Sequence, residues 1–153
     1  MRRELQVVDV RDPHVAGPPD TAPESRSRIY VVFTDRRGTA AALTSAAALA
    51  AQLNFRLDVV VSQVVPYPLP AANPPVPVTF TVDQIRELAH STSAEPDIHV
   101  YLCRERLPTL LEVLPPHSVV AIGMKRTWLP TKVKRLARAL EREGHVVIVA
   151  PYG

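Results

Sequence analysis

Continuous runs of apolar residues, rather than alternating ones, recur along the chain from residue 28 onward. The runs are rich in Val, Ile and Leu, and they occupy residues 29–33, 57–65, 98–102, 118–122 and 145–150. Runs of this kind are typical of strands that are covered on both faces, as in a parallel sheet. The pattern therefore predicts five buried strands.

Helical periodicity fills the gaps between these strands. Helices are predicted over residues 38–53, 81–90, 108–114 and 131–143. Thr81 and Gln84 have the spacing of a capping box, which places the start of the second helix at Thr81. Thr131 can cap the last helix, and Gly144 can end it.

Strands and helices alternate along the chain, and right-handed crossovers join them into a doubly wound arrangement. The fold class predicted is α/β, with a five-stranded parallel sheet and helices on both faces. Ligands of such sheets bind beyond the carboxyl ends of the strands, where the direction of winding reverses. The loops after Asp35, Val65, Cys103 and Gly123 lie at that edge.

Residues 1–27 differ from the rest of the chain, with four prolines and scattered charges. We interpret residues 1–27 as a flexible, Pro-rich leader and residues 28–153 as the folded domain. In the alternative interpretation, residues 5–10 form an added or swapped edge strand.

Composition narrows the class of protein. Of 153 residues, 46% are hydrophobic and 22% are charged, which fits one globular domain. The single cysteine, Cys103, excludes an intrachain disulfide and favours the cytoplasm. No apolar stretch approaches the roughly 20 residues of a membrane span, so we expect no membrane partner. The histidines lack metal-ligand spacing, and no nucleophile–base arrangement is visible, so we expect neither a metal site nor an enzyme.

Three segments carry a family resemblance: VFTD at 32–35, SQVVPYP at 62–68, and VVAIG at 119–123, which a basic turn and a helix follow. Together they make residues 29–149 similar to the universal stress proteins. The resemblance implies the adenine nucleotide alpha hydrolase-like fold and a homodimer that pairs through the last strand. It also implies a cytoplasmic stress-response domain that binds an adenine nucleotide or a protein partner.

The resemblance also implies a nucleotide site. In binding members, the aspartate after the first strand and the backbone near the end of the second hold adenine and ribose, which here implies Asp35, Gln63 and Val64. A glycine-rich loop after the fourth strand holds the phosphates, which implies Gly123 and Thr131. Asp35 has a simpler alternative role as a cap of the following helix.

The implied phosphate loop contains cations instead of glycines. Arg126 stands where its second glycine is expected, between Lys125 and the residues around Lys132. These side chains could hold an anion directly, or they could lie on an exposed helix face in water. Trp128, in the same loop, could stack on a ligand base or cover the sheet edge.

Seven basic residues cluster in the last third of the chain: Lys125, Arg126, Lys132, Lys134, Arg135, Arg138 and Arg142. No nucleic-acid-binding motif accompanies them, so we do not expect a nucleic-acid partner. The sequence favours a non-enzymatic binding domain that requires no cofactor and that can take ATP or AMP. The alternatives are a small nucleotide-hydrolysing enzyme of the same fold group and a ligand-free interaction module.

Overall fold

A computed structural model of the chain describes residues 6–10, 27–70, 74–92 and 94–153. Within these ranges the chain forms six strands and four helices. In chain order, the elements are β1 Gln6–Val10, β2 Arg28–Val32, α1 Arg36–Leu53, β3 Arg56–Val64, α2 Val78–His90, β4 Asp97–Cys103, α3 Arg106–Val113, β5 Val119–Lys125, α4 Lys132–Arg142 and β6 Val146–Tyr152.

The strands form one sheet in the order β1-β4-β3-β2-β5-β6. In this spatial order, the four neighbouring pairs β4–β3, β3–β2, β2–β5 and β5–β6 are all parallel. This arrangement confirms the predicted five-stranded doubly wound sheet. The described residues add a sixth strand, because β1 pairs antiparallel with β4 at the sheet edge. This strand corresponds to the alternative of an added edge strand. Residues 1–5 and 11–26 of the predicted leader lie outside the described residues.

Helices cover both faces of the sheet, and each face has its own apolar core. Alternate strand residues point to opposite faces, so Val59 and Val61 contribute to one core and Val60 to the other. Leu43 of α1 and Ile85 of α2 pack into the first core. The second core takes its helical residues from α3 and α4, namely Leu110, Leu136, Ala137 and Leu140.

The predicted capping box at Thr81 is wrong. Helix α2 begins three residues earlier, at Val78, with Pro77 in the cap position and no side-chain cap. Thr81 is buried, and its hydroxyl donates to Gln63 Oε1 at 3.3 Å. The fixed φ angle of a proline suits the first positions of a helix. The helix therefore begins directly after Pro77 and not at the capping-box pattern of Thr81.

The residues predicted to begin and to end the last helix are both confirmed. Thr131 caps α4, where its Oγ1 accepts a hydrogen bond from Lys134 N at 3.1 Å. Gly144 follows the end of the helix with φ +92°, a conformation that favours glycine.

A charged cluster lies at the amino-terminal end of the strands. Asp58 of β3 is 1% exposed, and its Oδ2 is 2.7 Å from Arg28 Nη1 and 3.6 Å from His99 Nε2. Burial by itself raises the pKa of the Asp58 carboxyl, but hydrogen bonds from His99 and Arg28 and the charge of Arg28 outweigh it. The pKa of Asp58 therefore lies below its ordinary value.

Candidate functional site

The winding direction of the sheet reverses between β2 and β5. These two strands are neighbours, and α1 leaves β2 over one face of the sheet while α4 leaves β5 over the other. The carboxyl ends of β2 and β5 therefore border the crevice in which doubly wound sheets bind ligands. Of the residues that the sequence predicts for a site, Asp35, Gly123 and Lys125 lie at this edge.

Asp35 joins two elements at the mouth of the crevice. It is the N-cap of α1, with Oδ1 accepting a hydrogen bond from Gly38 N at 2.7 Å. Its Oδ2 accepts a second hydrogen bond from the hydroxyl of Tyr152 at 3.3 Å. Both carboxylate oxygens are therefore engaged, and the capping role of Asp35 is confirmed.

Tyr152 connects Asp35 to the end of β5. It is the last residue of β6 and lies opposite Lys125 in the parallel register. The Arg37 guanidinium lies 5.9 Å from the centre of its ring. Burial, and then the Asp35 carboxylate, raise the pKa of the Tyr152 hydroxyl above its ordinary value, so the hydroxyl remains a hydrogen-bond donor.

Sequence reasoning missed Tyr152. The last strand is predicted to stop at Ala150, whereas β6 continues through Pro151 to Tyr152. The only sequence signal is an aromatic residue two positions beyond the apolar run, and nothing local to it points to Asp35.

Gly123 has a packing role. A Cβ atom at this position would lie 1.9 Å from the carbonyl oxygen of Gly38 and 2.4 Å from its carbonyl carbon. The first turn of α1 thus lies directly on β5, and glycine is required because no side chain fits between the two backbones. The residue that resembles the first glycine of a phosphate loop allows this close approach.

The sequence predicts that the fourth strand of the parallel sheet ends at Gly123, but in the structure β5 extends beyond it. It continues to Lys125, where residues 123–125 pair with residues 150–152 of β6. The ladder is extended by Arg126, whose backbone N–H donates to Tyr152 O at 2.8 Å. Backbone N–H groups that would line a phosphate loop are therefore used within the sheet.

Gln63 and Val64 lie on β3, next to β2 at the same edge of the sheet. The Gln63 amide donates from Nε2 to the carbonyl oxygen of Val76 at 2.6 Å, and its Oε1 accepts from the Thr81 hydroxyl. Gln63 therefore ties the Pro-rich loop to the sheet, while the Val64 side chain is exposed.

The backbone just beyond β3 has partners of its own. Val65 N donates to Cys103 O at 2.8 Å, and Val65 O accepts a hydrogen bond from Arg104 Nη1 at 2.8 Å. Arg104 also lies over the ring of Tyr67, 4.1 Å from its centre, within cation–π range. Arg104 therefore connects the backbone just beyond β3 to Tyr67 of the Pro-rich loop.

Three predicted anion-binding cations, Lys125, Arg126 and Lys132, are all exposed. None of them forms an ion pair within residues 27–70, 74–92 and 94–153. Lys125 and Arg126 follow one another at the end of β5, and Lys132 begins α4, whose cap is Thr131. Their charges are available to an anion at this edge.

The described residues contain no cluster of three or more potential metal ligands. Cys103 is 3% exposed, and burial raises the pKa of its thiol, despite a hydrogen bond with Thr109. A raised pKa keeps the thiol protonated and unreactive near neutral pH. Among the described helices, none is both long and apolar enough to cross a bilayer.

Neither a protein-family profile nor a curated protein sequence matches the chain. Solved structures do match it. The universal stress protein from Archaeoglobus fulgidus superposes with a TM-score of 0.52 at 17% identity, covering 80% of this chain and 92% of that one. The universal stress protein from Archaeoglobus fulgidus in complex with dAMP gives a TM-score of 0.53 at 18% identity, covering 80% and 96%. A universal stress protein in complex with cAMP gives 0.51 at 16% identity, covering 81% and 95%.

Sheet order, crossovers and helix placement define a doubly wound α/β domain with its crevice between β2 and β5. Its fold is that of the universal stress proteins, as the sequence resemblance predicts. At this level of identity the likeness concerns the fold, and the residues of the crevice are this chain's own.

Proposed function

We propose that this chain is a non-enzymatic, cytoplasmic binding domain of the stress-response type that takes an adenine nucleoside monophosphate. The observation that carries the proposal is the arrangement at the crevice, where Asp35, held by the Tyr152 hydroxyl, follows β2 and the exposed Lys125 ends the neighbouring β5. Two structures of the same fold are complexes with cAMP and with dAMP, each of which has one phosphate.

The extended β5 favours one phosphate over three. A triphosphate is commonly held by a row of backbone N–H groups, and in this chain the N–H of Arg126 pairs with Tyr152 instead. The exposed side chains of Lys125, Arg126 and Lys132 can still form charge-assisted hydrogen bonds to a single phosphate. AMP or cAMP therefore fits this edge better than ATP.

Titration calorimetry with AMP, cAMP and ATP tests the proposal. We expect the wild-type protein to bind AMP or cAMP with micromolar affinity and ATP more weakly. Lys125→Gln should weaken binding about tenfold, because it removes one charge-assisted hydrogen bond. Asp35→Asn should also weaken it while keeping the helix cap, since asparagine caps as well as aspartate does.

A matched control is Arg142→Gln, which removes an exposed cation at the far end of α4 and should leave the affinity unchanged. The absence of binding heat with all three nucleotides at millimolar concentration would leave the ligand-free module as the better interpretation. Release of ADP or AMP from ATP during the titration would favour the nucleotide-hydrolysing alternative.

We also propose that the chain forms a homodimer through β6. In the described sheet β6 pairs only with β5, so its outer edge has unpaired backbone groups, which natural proteins usually cover. Val146 and Val149 of this strand are 59% and 44% exposed.

Val149→Lys should convert the dimer to a monomer, because it places a charge on that edge. Light scattering after gel filtration measures the mass directly. Leu53→Lys is the control, since Leu53 is 49% exposed at the end of α1, and it should remain dimeric. A wild-type protein that is monomeric at high concentration would contradict this pairing.

A further inference from the structure

The loop between β5 and α4 displays two neighbouring apolar side chains to solvent. Trp128 is 89% exposed and Leu129 is 51% exposed. Trp128 therefore does not cover the sheet edge, which was one of its two expected roles. Single exposed apolar residues are ordinary, but an adjacent pair at the tip of a loop forms a small apolar patch.

Hydrogen bonds fix the shape of this tip, by which we mean residues 127–131. Lys134 Nζ donates to the carbonyl oxygens of Thr127 and Leu129, the latter at 2.9 Å. Leu129 N donates to Thr127 Oγ1 at 3.2 Å, and Thr131 caps the helix that follows. Because the backbone is already ordered, little conformational entropy is lost when the two apolar side chains bind a partner.

The segment of the chain that carries the tip has charges of one sign. Residues 113–140 include six basic residues and no acidic residue. Helix α4 buries Leu136 and Leu140, so its exposed cations Arg135 and Arg138 lie on the opposite, solvent side. A field of this kind attracts an anionic partner.

We propose that the tip and the solvent side of α4 form a docking surface for an anionic lipid bilayer. The Trp128 ring is suited to the headgroup region, where tryptophan is enriched, and Leu129 to the acyl boundary just below it. Arg135 and Arg138 contribute attraction to anionic headgroups. A single-stranded nucleic acid could stack on Trp128 but would leave Leu129 without an apolar partner.

The proposal differs from the sequence-based expectation of no membrane partner, which depends on the lack of a spanning segment and stays a prediction. A domain can lie on a bilayer without spanning it. The proposal goes beyond the nucleotide site and depends on Trp128, Leu129, Arg135 and Arg138, none of which the proposed nucleotide site uses.

The fluorescence of Trp128 tests docking directly, because it is the only tryptophan in the chain. With vesicles of phosphatidylcholine and phosphatidylserine, we expect a blue shift of its emission and cosedimentation of the protein. With vesicles of phosphatidylcholine alone, or at high salt, both effects should decline, because the attraction is electrostatic and screened. No shift and no cosedimentation with the anionic vesicles at low salt would overturn the proposal. Quenching by a single-stranded oligonucleotide without vesicle binding would also overturn it and would assign the surface to nucleic acid.

Two pairs of variants separate the apolar and the charged contributions. Trp128→Ala combined with Leu129→Ala should reduce cosedimentation at least about tenfold, whereas Phe80→Ala, at a 59% exposed aromatic of α2, should not. Arg135→Gln combined with Arg138→Gln should reduce it about fivefold for each charge. The charge-matched control combines Arg86→Gln with Arg106→Gln, and an equal loss in that control would overturn the assignment to α4.

The same variants keep the two proposals distinguishable. Asp35→Asn should still bind vesicles, and Arg135→Gln combined with Arg138→Gln should still bind AMP. Each variant should unfold at the same temperature as the wild-type protein, which would show that its substitutions act on binding and not on the fold. Loss of vesicle binding in Asp35→Asn would overturn the separation of the two surfaces.

Discussion

Gly123→Ala should destabilise the domain by about 3 kcal/mol or more. The added methyl group would lie 1.9 Å from the carbonyl oxygen of Gly38, and its three nearest neighbours are all backbone atoms of Gly38, which cannot rotate away. Helix α1 would have to move away from β5, which would disturb the core that α1 forms with the sheet. Urea unfolding followed by circular dichroism measures the loss of free energy.

Gly38→Ala is a matched control at the same contact. Its nearest neighbour would be the Thr34 hydroxyl at 2.6 Å, a side-chain atom that can rotate away. Alanine also favours a helix over glycine by about 1 kcal/mol, so this variant should lose much less stability than Gly123→Ala. Equal stability of Gly123→Ala and the wild-type protein would mean that α1 does not lie on β5.

Asp58→Ala should destabilise the domain by about 2–3 kcal/mol, because it removes the carboxylate that Arg28 and His99 both contact. Loss of one partner of a buried pair costs up to about 5 kcal/mol, and we take a lower value because the Arg28 side chain is 32% exposed. The control is Asp97→Ala, whose ion pair with Arg56 spans 3.5 Å with both side chains at least one-third exposed. That change should cost less than about 1 kcal/mol.

The contribution of Asp58 to the free energy of unfolding should decrease as the pH falls. The pKa of its carboxyl is lowered in the folded protein, so its contribution is complete above the ordinary aspartate value, near pH 4. It is lost as the pH falls through the lowered pKa, because the protonated carboxyl no longer pairs with Arg28. The stability gap between the wild-type protein and Asp58→Asn should therefore narrow in acid. A constant gap from neutral pH to about pH 3 would contradict the lowered pKa.

Much of the fold follows from local patterns. The continuous apolar runs identify five parallel strands because both of their faces are covered, and the alternation with helices determines the double winding. The β1 strand is less accessible to such reasoning, because an edge strand is specified by its partner β4 as much as by its own residues. The early start of α2 shows the same limit, since Pro77 and the apolar positions of the helix prevail over the capping pattern at Thr81.

The candidate site divides in a similar way. Asp35 and the cations of residues 125–132 are visible in the sequence because they follow predicted strands. Their arrangement is not visible. Asp35 and Tyr152 are 117 positions apart in the chain, and they meet only because β2, β5 and β6 end at the same edge.

The sequence by itself therefore determined the parallel α/β architecture, the cap at Thr131 and the turn at Gly144, all of which depend on a few neighbouring residues. Only the tertiary structure decided the roles of Gly123, Tyr152 and Trp128. The first depends on a contact with Gly38, the second on a hydrogen bond to Asp35, and the third on how much of its ring the rest of the domain leaves in water. Each is a property of surfaces that distant parts of the chain bring together, and no local pattern encodes such a contact.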